Sequence, residues 1–160
     1  LGVVALMDHD LDAAVGAAGR LEPVEHRLQP MRTGGPVTVI DDSYNANPVG
    51  VHNGLDVLAA MNGGRKILVT PGLVELGSVE EEENRRYGEH AASVCSDVIV
   101  MQARPAAALQ AGLRAGGLPS EHIHVVRTLD EATAVIARVS RPGDVVLFAN
   151  DLPDTYLPPQ

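Results

Sequence analysis

The stretch VIDDSYNANPVG, residues 39–50, runs from an apolar start into two carboxylates, a hydroxyl, a phenol and two amides, and then a proline. A plain connection needs only a turn residue or two, so the surplus of polar groups needs a reason. Asn47 stands where a helix N-cap belongs, and Pro48 falls at the first helical position, where its missing N–H costs nothing. The stretch therefore reads as strand end, polar loop and helix start, which is the repeating unit of an α/β fold.

The same alternation continues on both sides. Apolar runs of strand length predict strands at Pro36–Asp41, Lys66–Thr70, Asp97–Met101, His122–Arg127 and Asp144–Phe148, with amphipathic helices between them. The first helix should run from Pro48 to about Met61 and stop at Asn62-Gly63-Gly64. The second opens at SVEE, where Ser78 and Glu81 have the spacing of a capping box. Its acidic run Glu80 to Glu83 suits the positive end of the helix dipole, and Tyr87, Ala91 and Val94 form its inward stripe. The third covers about Pro105 to Ala115, and the fourth starts at a second box, Thr128 with Glu131, and ends before Arg141-Pro142-Gly143.

Upstream, Leu11 to Leu21 predicts a short helix, and Arg27 to Arg32 can pair with Pro36 to Asp41 through the turn TGGP. The expected fold is a Rossmann-like, doubly wound α/β domain with a mostly parallel sheet of about six strands and one antiparallel edge strand. In such sheets ligands bind beyond the carboxyl ends of the strands. Residues 41–47 sit there, just before a helix N-terminus, which favours a polar or anionic ligand.

Composition narrows the partners. The 160 residues make one ordinary domain, and the net charge of -9 repels a phosphate backbone. Only Tyr44, Tyr87, Tyr156 and Phe148 are aromatic, too few for stacking along a single strand. Nucleic acid is thus excluded as a partner. So is a membrane span, since the apolar runs fall far short of the ~20 residues one needs. The single cysteine, Cys95, forms no disulfide within the chain, suits a reducing cytoplasm, and reads as a small buried hydrophobe. The chain starts at Leu1 without an initiator methionine, and LGVVALMDHD meets acid too early for a signal peptide. It reads as a fragment with further sequence expected upstream.

Chemically, an aspartate can accept both vicinal hydroxyls of a ribose, and asparagines offer donors and acceptors to a base or phosphate. Equally, Asp42, Ser43, Asn45 and Asn47 can do no more than form Asx turns and a cap. Paired acids after a first strand also hold Mg²⁺ in phosphoacceptor receiver domains. That reading fails here, because KILVTPG ends in Thr70 and Pro71 rather than an acceptor aspartate, and no lysine follows DVVLFAN.

EPVEHRLQPM, VIDDSYNANPVG, VTPGLVELG, EEEENRRYGEHAA and GDVVLFANDLPDTY occur in an order and at spacings that resemble the carboxyl-terminal domain of the Mur ligases, across nearly the whole chain. DDSYNANP together with PGLVELG is a specific signature, and within the family the likeness is greatest to the branch that adds D-Ala-D-Ala to UDP-N-acetylmuramoyl-tripeptide. The resemblance implies a cytoplasmic, ATP- and Mg²⁺-dependent amide ligase. Arg27 then corresponds to the arginine that reaches the ATP phosphates, and its planar fork suits that task. Asp42 is similar to the aspartate that binds the ribose, while Asp41 orients the loop. Ser43, Tyr44, Asn45 and Asn47 line the nucleotide side, and Glu75, Asn150 and Asp151 face the substrate.

No G-x-x-x-x-G-K-[ST] loop occurs in these residues. In the family that loop, the main Mg²⁺ ligands and a carbamylated lysine belong to a central domain, so the resemblance implies a single domain, 1–160, that is inert alone and closes over ATP against that central partner. A related ligase with another amino acid or acceptor, or a free-standing binding module, stays open at this stage. His122 and His124 alternate along a strand but lack a third metal ligand at suitable spacing. His9, His52 and His90 read as surface or packing residues.

Overall fold

The computed structural model describes residues 10–20, 24–31, 34–44 and 46–149. In chain order the elements are α1 (Leu11–Ala18), β1 (Gln29–Met31), β2 (Thr38–Asp42), α2 (Pro48–Ala60), β3 (Lys66–Thr70), α3 (Glu80–Val94), β4 (Asp97–Met101), α4 (Ala106–Ala115), β5 (Ile123–Val126), α5 (Leu129–Val139) and β6 (Val145–Ala149). Short 3₁₀ turns at Gly77–Val79 and Ser120–His122 precede α3 and β5.

The runs KILVT, DVIVM and VVLFA form the middle of the sheet, because a parallel strand covered on both faces must be apolar on both. All six strands join one sheet in the order β1-β2-β6-β3-β4-β5, parallel except for the β1–β2 pair. The fold is thus the expected α/β one with one antiparallel edge. The turn behind that edge pair lies partly outside the described residues.

Connections into β3, β4 and β5 step one way across the sheet, whereas α5 leads back to β6, between β2 and β3. With one crossover hand the two kinds of step must lie on opposite faces. Val51, Leu55 and Leu58 of α2, Tyr87 and Ala91 of α3, and Leu109 and Leu113 of α4 accordingly share one core with Leu68, Val98 and Leu147. Ala132 of α5 packs on the other face with Ile67, Val69, Ile99 and Val146. Each fully buried Leu, Ile or Val contributes about 1.5–3 kcal/mol, and Cys95 lies among them as a buried hydrophobe.

Helices α3 and α4 approach more closely than ordinary side chains allow. A Cβ on Gly112 would stand 2.0 Å from the Arg85 carbonyl oxygen, and one on Gly88 2.3 Å from that of Leu109.

Helix starts test the local signals. Asn47 caps α2, its Oδ1 accepting from the Gly50 amide at 2.8 Å with Pro48 following. Thr128 caps α5 through the Glu131 amide at 3.1 Å, but Glu131 reaches back to the Arg127 amide (2.7 Å), one residue before the cap. The box expected at Ser78 and Glu81 does not form. Gly77, at φ +59, opens a 3₁₀ turn there, and α3 starts at Glu80 with no side-chain cap. The first-turn glutamates stand at the positive end of the dipole; Glu81, Glu82 and Glu83 pair with Arg85 and Arg86 one turn on, and Glu80 pairs with Arg104.

Candidate functional site

The two acids of DDSYNANP do not form a pair. Successive strand residues face opposite sides, so Asp42 lies with Ile40 on the α2–α4 side and Asp41 with Val39 on the other. Each acid grips the segment before β1. Asp42 Oδ1 accepts from the Leu28 amide at 3.0 Å, and Asp41 Oδ2 accepts from His26 Nδ1 at 2.7 Å. These two held residues flank Arg27. Both also carry left-handed backbone, His26 at φ +58 and Leu28 at φ +46, a conformation that costs a non-glycine residue about 1–2 kcal/mol and persists where surrounding contacts over-determine it.

Further contacts complete the arrangement. The Tyr44 amide donates to the His26 carbonyl (3.1 Å), and the Arg27 amide to that of Val24 (3.2 Å). The Arg27 guanidinium carbon lies 4.6 Å from the centre of the Tyr44 ring, a cation–π contact. Ser43 Oγ and its amide both donate to Asp41 Oδ1, at 2.6 and 3.0 Å. Tyr44 is 57% exposed and Arg27 is exposed. An oriented cation thus stands at the carboxyl end of β2.

Asp41 and Asp42 differ electrostatically. Partial burial would raise the Asp41 carboxyl, but hydrogen bonds from Ser43 and His26 outweigh it and hold it below the ordinary value. Asp42 is shifted upward. Burial dominates there, and the Leu28 amide and Arg27 offset it in part. Gly54 of α2 leaves space for this carboxylate, since a Cβ on it would sit 3.3 Å from Asp42 Oδ2.

The β3–α3 loop, TPGLVELG, follows the neighbouring strand ends on the same edge of the sheet. Glu75 is exposed there at φ +64. Asn84, fully buried, shapes the loop: its Oδ1 accepts from the Leu73 amide and its Nδ2 donates to the carbonyls of Leu73 and Glu80, all at 2.8 Å. Gly72, at φ +88, permits that approach, because a Cβ on it would stand 2.6 Å from Asn84 Oδ1. Asn84→Ala would leave the Leu73 amide and carbonyl unmet. We expect a loss of about 2–3 kcal/mol and a melting temperature lower by about 4–12 °C; a melting curve matching wild type would contradict the role given to this side chain.

Arg27, Asp42, Ser43 and Tyr44 therefore come together, with Asn47 nearby as the cap of α2. Glu75 stands on the same edge in a separate loop. Asn45, Asn150 and Asp151 lie outside the described residues. His26 and Asn84 carried no expectation. Asn84 did leave a signal, a polar residue three before Tyr87 in an apolar stripe, whereas the His26–Asp41 contact spans the edge pair and leaves none locally.

The other histidines have different partners. His122 and His124 both contact Asp97 Oδ1, at 3.1 and 2.9 Å, on the amino edge of the sheet, where Arg65 also pairs with Asp97 and Asp144. Rings of His52 and His90 stack with their Nδ1 atoms 2.8 Å apart. Burial, with His90 adding, lowers the His52 pKa. Among the described residues no three His, Cys, Asp or Glu side chains converge as a metal site, and no helix is long and apolar enough to cross a membrane.

Comparison with known proteins adds the context. Residues 26–150 match the family described as Mur ligase, glutamate ligase domain. The chain is 34% identical over 153 residues to the UDP-N-acetylmuramoyl-tripeptide–D-alanyl-D-alanine ligase of Mycobacterium leprae, covering 86% of this chain and 29% of that protein. It is 28% identical over 138 residues to the ligase of the same name from Bacillus subtilis, covering 86% and 30%. Among solved structures, the MurF ligase from Thermotoga maritima in complex with ADP superposes with a TM-score of 0.73 at 25% identity, covering 94% of this chain and 33% of that one. The chain spans about 30% of the length of the curated relatives it matches.

Proposed function

From the premise that this chain belongs to the Mur ligase family, we propose that it is the carboxyl-terminal domain of an ATP-dependent amide ligase that joins D-Ala-D-Ala to UDP-N-acetylmuramoyl-tripeptide. The observation that carries this reading is the placement of Arg27, exposed beside Asp42 at the carboxyl end of β2, in a fold shared with an ADP-bound ligase.

The residues present fit a nucleotide. Arg27 presents its guanidinium to the phosphates, and Asp42 offers a carboxylate oxygen to the ribose hydroxyls. Ser43, Tyr44 and Asn47 line the same side, and the motif assigns Asn45 to the nucleotide as well. Glu75 faces the incoming amine, and the motif assigns Asn150 and Asp151 to the substrate as well. When bound, ATP supplies the phosphoryl group that activates the terminal carboxylate of the tripeptide for attack by the amine. This chain's part is to bind, to orient and to place a fixed positive charge where charge develops on phosphate. The rest of the ligase supplies the Walker-type loop and the Mg²⁺ ligands, so the domain alone turns nothing over.

Asp42→Ala in the full-length ligase tests the nucleotide assignment. Loss of the ribose acceptor, together with the loosened Leu28 amide, should raise the KM for ATP about tenfold or more, with a smaller effect on kcat. A KM for ATP equal to wild type would remove Asp42 from the nucleotide site.

A further inference from the structure

Arg27 sits in a segment held in an unfavourable backbone conformation, and the two anchors of that segment differ. The Leu28 anchor is a backbone amide on Asp42, available to any residue but proline. At His26 the Tyr44 amide holds the backbone carbonyl, and the His26 side chain adds an anchor of its own. Its Nδ1 stands 2.7 Å from Asp41 Oδ2, and that carboxylate is fixed in turn by the Ser43 hydroxyl and amide on its other oxygen. Asp41 is only 15% exposed, whereas His26 is 55% exposed and fills no core. A side chain that is mostly in solvent, sits at φ +58 and makes one short charge-assisted contact, the Ser43 hydroxyl lying 3.4 Å from the same nitrogen, contributes little to folding. Its evident work is to fix the residue next to it.

We propose that His26 is a positioning residue: through Asp41 and Ser43 it holds the backbone at Arg27 so that the guanidinium stands at the nucleotide edge. This inference rests on the reading of Arg27 given above and extends it to side chains on the opposite face of the strand from Asp42. The contact uses Nδ1–H, which both the neutral Nδ1–H tautomer and the imidazolium possess. Protonation of the ring therefore leaves it intact. With the side-chain anchor gone, the backbone bonds to Tyr44, Val24 and Asp42 remain, but Arg27 samples a wider range of orientations and its charge is less firmly fixed before the phosphate charge develops.

Two substitutions separate the anchor from the strain. His26→Gly removes the anchor and also the steric cost of the left-handed backbone, so the fold should survive with little change in melting temperature. In His26→Asn the amide nitrogen, like Nδ1, is bonded to Cγ and can donate to Asp41, and asparagine tolerates left-handed backbone.

The experiment measures kcat, KM for ATP and melting temperature in the full-length ligase for His26→Gly, His26→Asn, Arg27→Ala and the double variant His26→Gly/Arg27→Ala. His26→Gly should lower kcat about tenfold with the melting temperature held, and His26→Asn should recover most of the loss. In the Arg27→Ala background, His26→Gly should cost less than about twofold more, because a residue acting through Arg27 has nothing left to position. A wild-type kcat for His26→Gly, equal losses in the Gly and Asn variants, or additive losses in the double variant would each overturn the inference. If Arg27→Ala is itself fully active, the reading of Arg27 at the phosphates fails and the inference falls with it; if Arg27→Ala is impaired while His26→Gly is not, only the positioning role falls.

Discussion

Replacing Arg27 by lysine in the full-length ligase is expected to lower kcat about 100-fold, with a smaller change in the KM for ATP. The charge survives the substitution, but the geometry does not. A guanidinium presents its donors in a rigid plane that matches two phosphate oxygens at once, whereas an ammonium is a point charge on a flexible stem. The structure shows how much is invested in that plane: the Tyr44 ring lies 4.6 Å from the guanidinium carbon, and both flanking residues are tied to β2 or its loop. A lysine keeps the backbone anchors but loses the planar contact on the ring. Steady-state rates of ADP release measure the effect, and a lysine variant at wild-type kcat would reduce Arg27 to a surface cation resting on a tyrosine.

The second large effect concerns stability. Gly112→Ala should destabilise the fold by about 4 kcal/mol or more, beyond the usual range for overpacking. The new Cβ would meet the Arg85 carbonyl oxygen at 2.0 Å, and that oxygen belongs to the backbone of α3, so no side chain can turn aside to relieve the clash. The helices would have to separate, opening the core around Tyr87, Leu109 and Leu113. For a domain of this size the loss corresponds to a melting temperature lower by about 8–16 °C or more. Gly16→Ala in α1 is the control. Its Cβ would meet only the end of Arg20, at 3.8 Å, and the substitution should be neutral or slightly stabilising. Equal melting temperatures for Gly112→Ala and Gly16→Ala would contradict the close approach of α3 and α4.

What the sequence made legible was local. The strands at Lys66–Thr70 and Asp97–Met101 form over the residues read for them, because a strand buried on both faces shows as an unbroken apolar run. Edge strands begin later than the sequence suggests: His122 is taken by a 3₁₀ turn, and β1 starts at Gln29 rather than Arg27. The insertion of β6 between β2 and β3 had no sequence signal, since strand order depends on contacts between distant segments. Spacing misled at Ser78 and Glu81, where a glycine at positive φ opened a turn instead of a box.

The site shows the same division. Arg27, Asp42, Ser43 and Tyr44 were named from motifs and do stand together. Continuing the register of Gln29 opposite Asp41 by one residue sets Leu28 against Asp42, so the grip on Leu28 follows once the edge pair is known. The link from His26 to Asp41 was not legible, because it needs both that pair and the side of the strand on which each acid lies.

The central proposal is that this domain completes an ATP-dependent ligase specific for D-Ala-D-Ala. The most direct test follows ADP release by the full-length protein with UDP-N-acetylmuramoyl-tripeptide while the amine substrate is varied. The account predicts ADP release that requires D-Ala-D-Ala; release supported only by another amine would contradict the assigned substrate, and release that no amine stimulates would contradict the ligase itself.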